Sequence, residues 1–212
     1  YEQLKLLGRQ YAHYIKVSVT SRQALITITD RCMPGIKNVI FSKKADNPTK
    51  DKLCDFIEKY WHYDTITKMS ENKFCTDYIT WAKKKGYRPN ETQAKKIYAV
   101  ASSGIPSISS NNPSTKMLVL EAVRVVKEIS QTLDSILTQM REIASLLPEY
   151  DVVRSMNGVG DVLAVKLIAE IGDIRKENQG FHTVLDADAL EYISSAGLRI
   201  ILRLRKEEPK LA

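Results

Sequence analysis

The chain has 212 residues, 43% of them hydrophobic and 27% charged, with a formal net charge of +7 and a pI near 9.2. That length accommodates one or two folded domains, and no apolar run reaches the length of a bilayer span, so a membrane partner is not expected. The surplus of Lys and Arg suits a polyanionic partner and makes such binding salt-dependent.

Residues 1–33 read as one helix. Leu4, Leu7, Tyr11, Tyr14, Ser18, Ser21, Leu25, Ile28 and Cys32 alternate at spacings of three and four, the a/d seam of a coiled coil with two serines near its middle. Met33-Pro34-Gly35 ends it, because Pro and Gly cannot continue a helix cheaply. Residues 36–50 read as a lysine-bearing loop. Three shorter helices follow. Asp51 to Trp61 places Leu53, Phe56, Ile57 and Tyr60 on one face. Glu71 to Lys85, capped by Ser70 and stopped by Gly86, buries Phe74, Tyr78, Ile79 and Trp81. Glu91 to Ala101 is basic on one side through Lys95 and Lys96.

Lys83, Lys84, Lys85, Tyr87 and Arg88 mix cations with an aromatic, as nucleic-acid surfaces often do. A solvated helix end, its lysines facing the negative end of the dipole, explains the same residues. Residues 102–113 are a Ser/Asn/Gly/Pro linker without periodicity. A second long helix starts near Ser114 and keeps a heptad seam through Val119, Val123, Val126, Ser130, Leu133, Leu137, Met140, Ala144 and Leu147 up to Pro148. Two matching seams lead to an antiparallel pair within the chain or to self-association with a second copy.

Asn157-Gly158-Val159-Gly160-Asp161 reads as a tight glycine turn opening a helix. Val162, Leu163, Leu167, Ile168 and Ile171 form its apolar face, Asp161 is the expected N-cap, and Gly172 is the stop. Free backbone amides at such a turn suit a phosphate, the logic of helix-hairpin-helix modules. The candidate nucleic-acid contacts are therefore Gly158, Val159, Gly160 and Lys166, with Lys83, Lys84, Lys85 and Arg88. The alternative is a packing corner whose glycines only permit close approach. Beyond the turn, Phe181 to Asp186 has the composition of a strand, and Ser194 to Arg199 opens a last helix.

Other chemistry is sparse. Cys32, Cys54 and Cys75 are odd in number and widely spaced, so neither a disulfide framework nor a zinc site is expected, and a cytoplasmic location is the default. His13, His62 and His182 show no metal-ligand spacing, and the acids Asp161, Glu170 and Asp173 do not make a metal pair on one helix face. No catalytic motif is present. A start at Tyr1 without a secretory signal reads as a piece of a longer chain.

Asn157-Gly158-Val159-Gly160, then Ala164 and Leu167 to Arg175, resembles the start of the C-terminal domain of the IS-one-ten family, the DEDD-type insertion-sequence transposases. The stretch Leu4 to Tyr11, the turn Met33-Pro34-Gly35 and the long helix at 114–147 resemble parts of that family in the same order, so the likeness covers residues 1–176. It implies DNA transposition and recombination, DNA and a structured guide RNA as partners, and homo-oligomers through the coiled coil. In that family an N-terminal domain supplies four acids that hold Mg2+, and a serine later in the C-terminal domain is the proposed nucleophile. Neither maps onto this sequence, so no catalytic residue and no cofactor is assigned to it, and strand cleavage is not expected.

The tail resembles a different family. Val184-Leu185-Asp186 and Leu190 to Arg199 are similar to the central strand and helix of STAS domains, the anti-sigma factor antagonists. That likeness implies a phosphorylated serine at Ser195, where a helix N-terminus favours a dianion. A helix cap is the alternative role. The join falls at residues 177–180, as in a chimera. The expected fold is mainly α: a helical region at 1–113, a long coiled-coil helix at 114–148, a helix-hairpin-helix-like segment at 149–180, and a short α/β fragment at 181–212.

Overall fold

The computed structural model describes residues 1–40 and 51–171. Among them the secondary structure is entirely helical, so the mainly α reading holds. The strand expected at Phe181 to Asp186, the stop at Gly172, the join at 177–180 and Ser195 lie outside the described residues. The chain divides into two compact units. One comprises Tyr1–Ala12 and the residues from Ser135 onward, the other His13–Asp134.

The long helix α1 (Glu2–Cys32) and the later α7 (Pro113–Ser145) each contribute to both units. Their seams are real burial patterns. Leu4, Leu25, Cys32, Val119, Val123, Val126, Met140 and Ala144 are buried, and the other seam positions are half-buried. A 3,4 alternation keeps one stripe toward a partner for as long as it is maintained.

In the His13–Asp134 unit, α1 stops at the Met33-Pro34-Gly35 turn, as expected. The loop expected over 36–50 begins instead with α2 (Ile36–Ile40), whose Ile36 and Ile40, one turn apart, are both buried. Next come α3 (Lys52–Lys59), α4 (Tyr63–Thr67), α5 (Glu71–Lys84) and α6 (Glu91–Ser103). Asp51 caps α3 by accepting from the Cys54 N–H, and Asn90 caps α6 by accepting from Gln93. Ser70 holds the N-cap position of α5 but makes no side-chain bond there. The core is aromatic: Phe56 packs against Tyr60, Tyr78 and Trp81 with ring centroids 4.8 to 6.3 Å apart.

The stretch expected to be a free linker is fastened. Backbone N–H groups of Ser107 and Ile108 donate to the Arg31 carbonyl at the end of α1 (2.9 and 3.4 Å). His62 Nδ1 accepts from the Asp64 N–H (3.1 Å) and so caps α4; its Nε2 therefore carries the proton and donates to the Ile108 carbonyl (2.9 Å). Ser110 Oγ donates to the Asp64 carboxylate.

In the other unit, α8 (Glu149–Ser155) and α9 (Asp161–Ile171) form a hairpin that packs with the start of α1 and the end of α7. The buried face of α9 is Ala164, Val165, Ile168 and Ala169, whereas Leu163 is exposed. The expected face of Val162, Leu163, Leu167, Ile168 and Ile171 is thus rotated. Small side chains are buried because α1 comes close: a Cβ built on Gly8 would lie 3.3 Å from the Ala169 Cβ. Among the described residues no helix is long and apolar enough to cross a membrane.

Candidate nucleic-acid interface

The eight basic and turn residues singled out in the sequence fall into two sets, one in each unit. Gly158, Val159, Gly160 and Lys166 belong to the hairpin, and Lys83, Lys84, Lys85 and Arg88 to the aromatic unit.

At the hairpin, the Met156 N–H closes α8 on the Val153 carbonyl (3.3 Å), and the Val159 N–H returns to the Met156 carbonyl (3.0 Å). Gly158 sits between them with φ 88°, a backbone region that glycine occupies without Cβ strain. Val159 points its side chain into the core, while Gly158 and Gly160 are exposed. The first α-helical bond of α9 runs from Ala164 N–H to the Gly160 carbonyl (2.9 Å). Gly160 is therefore the N-cap, and Asp161, expected in that role, is the first helical residue. Its carboxylate is engaged sideways, with Arg154 Nε 2.8 Å away. The N–H groups of Gly160, Asp161, Val162 and Leu163 make no hydrogen bond among the described residues. Val159's amide, counted among the candidate contacts, is already satisfied. Lys166 is half-buried, with its Nζ 4.7 Å from the centroid of the Tyr11 ring on α1. That contact orients the cation without neutralising it.

The second set surrounds the end of α5. Gly86 adopts φ 72° and its N–H bonds the Lys83 carbonyl (3.0 Å), while the Tyr87 N–H bonds the Ala82 carbonyl (2.8 Å). These are the two bonds of a Schellman motif. Tyr87 turns inward: its hydroxyl donates to Asp55 Oδ2 (2.7 Å) and its ring packs on Trp81 (5.7 Å). It is an anchor, so the expected role of an aromatic interleaved among surface cations falls away. Lys85 is also used internally, near Asp55 (3.4 Å) and Glu58 (3.7 Å), and Lys127 of α7 meets the same two acids at 2.8 Å each. Burial works to raise Asp55, but the Lys127 and Tyr87 hydrogen bonds and the lysine charges outweigh it and hold the carboxyl below its ordinary range. Lys83, Lys84 and Arg88 are exposed and have no ion pair among the described residues.

Charge separates the sets further. The described residues of the aromatic unit carry 17 Lys and Arg against 11 Asp and Glu; those of the hairpin unit carry five against six. Among the described residues, the hairpin unit thus carries no basic excess. His62 is committed to capping, His13 packs beside Tyr14, and His182 lies outside the described residues. Among the described residues no group of three His, Cys, Asp or Glu could hold a metal ion.

Comparison with protein-family profiles, with curated proteins and with solved structures returned no match.

Proposed function

We propose that this chain is the helical middle of an insertion-sequence transposase of the IS-one-ten type, joined to a STAS-like fragment. It binds the sugar-phosphate backbone of DNA or structured RNA, associates with itself through its long helices, and does not cleave strands. The observation that carries the binding role is the exposed Gly158–Gly160 turn, with consecutive unsatisfied amides at the start of α9. Such amides donate to a phosphate without reading bases. Exposed Ile15 and Val19, one turn apart on α1 beside its half-buried seam residues Tyr14 and Ser18, favour pairing of that helix with a second copy. The absence of cleavage follows from the sequence, which offers no acid set or nucleophile matching the family's pattern.

The test uses the full chain and fluorescence anisotropy on a labelled DNA duplex and a structured RNA across a salt series. Gly160→Glu is the informative variant. A Cβ at Gly160 meets nothing within 4 Å, so the fold tolerates the change, yet it sets a carboxylate beside the amides. Salt-dependent binding by the parent and a several-fold loss in the variant are expected. No binding to either nucleic acid at low salt would overturn the reading. Magnesium-dependent nicking of element-end DNA would overturn the statement on cleavage.

A further inference from the structure

We infer that the dominant electrostatic contact with nucleic acid is a rigid basic knuckle at the end of α5, formed by Lys83, Lys84 and Arg88, and that Lys85 is excluded from it as a structural residue. This rests on the nucleic-acid reading above but moves its main site from the hairpin to the other unit.

The four cations of this stretch lie within six residues of sequence, yet the fold treats them differently. Lys85 reaches back to Asp55 and Glu58, the two acids that Lys127 also engages. Those carboxylates are thereby occupied. Lys83 and Lys84, in the last turn, and Arg88, two residues past Gly86, remain exposed and without an acid. Helix capping does not account for them. The carbonyls of Trp81, Ala82 and Lys83 are already met by backbone N–H groups of Lys85, Gly86 and Tyr87. The turn that carries them is fixed at both ends, by the Schellman bonds and by Tyr87 tied to Asp55. Three like charges held together on a stiff turn repel one another until a polyanion neutralises them. A backbone already fixed also removes one ordering cost on meeting successive phosphates, leaving only that of the side chains.

Lys68 and Lys73 give a matched control. They are exposed, form no ion pair among the described residues, and belong to the same unit, although the Lys73 charge acts on Asp77 from a distance. Lys73, in the first turn of α5, is ten residues before Lys83, about 15 Å away along the helix axis. The experiment measures binding of the full chain to a DNA duplex of mixed sequence across salt concentrations. It compares the parent with Lys83→Gln/Lys84→Gln, Lys68→Gln/Lys73→Gln, Arg88→Gln and Lys85→Gln. Each lysine that neutralises a phosphate contributes about 1 to the slope of log affinity against log salt. The knuckle pair is expected to lower that slope by about 2 and Arg88→Gln by about 1, with Lys68→Gln/Lys73→Gln and Lys85→Gln leaving it unchanged. Equal slope losses for the knuckle pair and the control pair would overturn the inference, because net charge alone would then explain binding. So would competition by poly-glutamate as effective as that by unlabelled duplex. If the parent does not bind at all, the nucleic-acid reading itself falls. If it binds and only Gly160→Glu weakens it, that reading stands and the knuckle is refuted.

Discussion

The two units solve the problem of holding short helices together in opposite ways. The aromatic unit uses bulk: Phe56, Tyr60, Phe74, Tyr78 and Trp81 interlock, and polar bridges such as Lys127 to Asp55 tie α7 to α3. The hairpin unit uses smallness: Gly8, Ala164 and Ala169 let backbones approach, and Val159 is the plug of its turn. The first strategy leaves long polar side chains at the rim, where unpaired lysines accumulate. The second leaves main-chain amides at the surface, because a turn built on glycine has no side chains to cover them. Two kinds of exposed surface, one of lysine side chains and one of main-chain amides, thus follow from two kinds of packing.

The contrast breaks most visibly through the aromatic core. Phe56→Ala removes a fully buried ring that contacts three others and should cost about 3–5 kcal/mol in urea unfolding. A loss below that of a typical surface change would mean that the ring cluster is not what holds the unit. Gly104→Ala comes next. An added Cβ would lie 2.4 Å from Tyr63 Cε2 and 2.9 Å from the Val100 carbonyl oxygen, so about 1–3 kcal/mol of overpacking is expected in thermal melts.

The glycine turn sharpens the comparison. Gly158→Ala forces a side chain into positive φ at about 1–2 kcal/mol. Gly160→Ala, in open space, should stay within about 0.5 kcal/mol of the parent. Equal effects would show that the turn does not depend on Gly158's backbone.

Acid should distinguish the units. Asp51, Asp55 and Asp77 are all held below the ordinary carboxylate range. Burial opposes this in each case and is outweighed by hydrogen bonds and cations: Cys54 N–H and Arg22 for Asp51, Lys127 and Tyr87 for Asp55, Lys59 and Tyr60 for Asp77. A carboxyl whose folded pKa is depressed contributes stability that is present above its unfolded value of about 4 and is lost as pH falls through the folded value. All three belong to the aromatic unit. Unfolding followed by tryptophan fluorescence should therefore steepen below about pH 4, and Asp55→Asn should flatten that limb. The smallest effect belongs to Arg154→Ala, which removes an exposed pair with Asp161 and should change stability by no more than about 1 kcal/mol in chemical denaturation.

Much of the scaffold was legible in the amino-acid order, and the reasons are local. The seams of α1 and α7 repeat over many turns, so each position reinforces the others, and the stops at Met33-Pro34-Gly35 and Gly86 rest on backbone chemistry visible within three residues. What escaped depends on distant partners. α2 and α4 have five residues each, too short for periodicity. The fastening of residues 107–110 needs Arg31 and His62, and a histidine acting as N-cap through Nδ1 leaves no signature. The buried face of α9 is not legible in the sequence because large apolar residues usually mark the core, whereas here α1, through Gly8, comes close enough to bury Ala164 and Ala169 beside Val165 and Ile168 while Leu163 stays exposed. At the candidate interface the turn itself was readable. The division of labour among Lys83, Lys84 and Lys85 was not, since nothing nearby in sequence announces that Asp55 and Glu58 claim only the last of them.

The three cysteines carry a practical consequence. Cys32, Cys54 and Cys75 are free and buried, burial pushes each thiol above its ordinary range, and the sequence has no others. A thiol kept protonated and out of water resists alkylation until its surroundings open. All three lie in the aromatic unit. The rate at which a maleimide modifies the native chain is therefore a clock for the breathing of that unit alone, wound by the protein's own composition and blind to the hairpin.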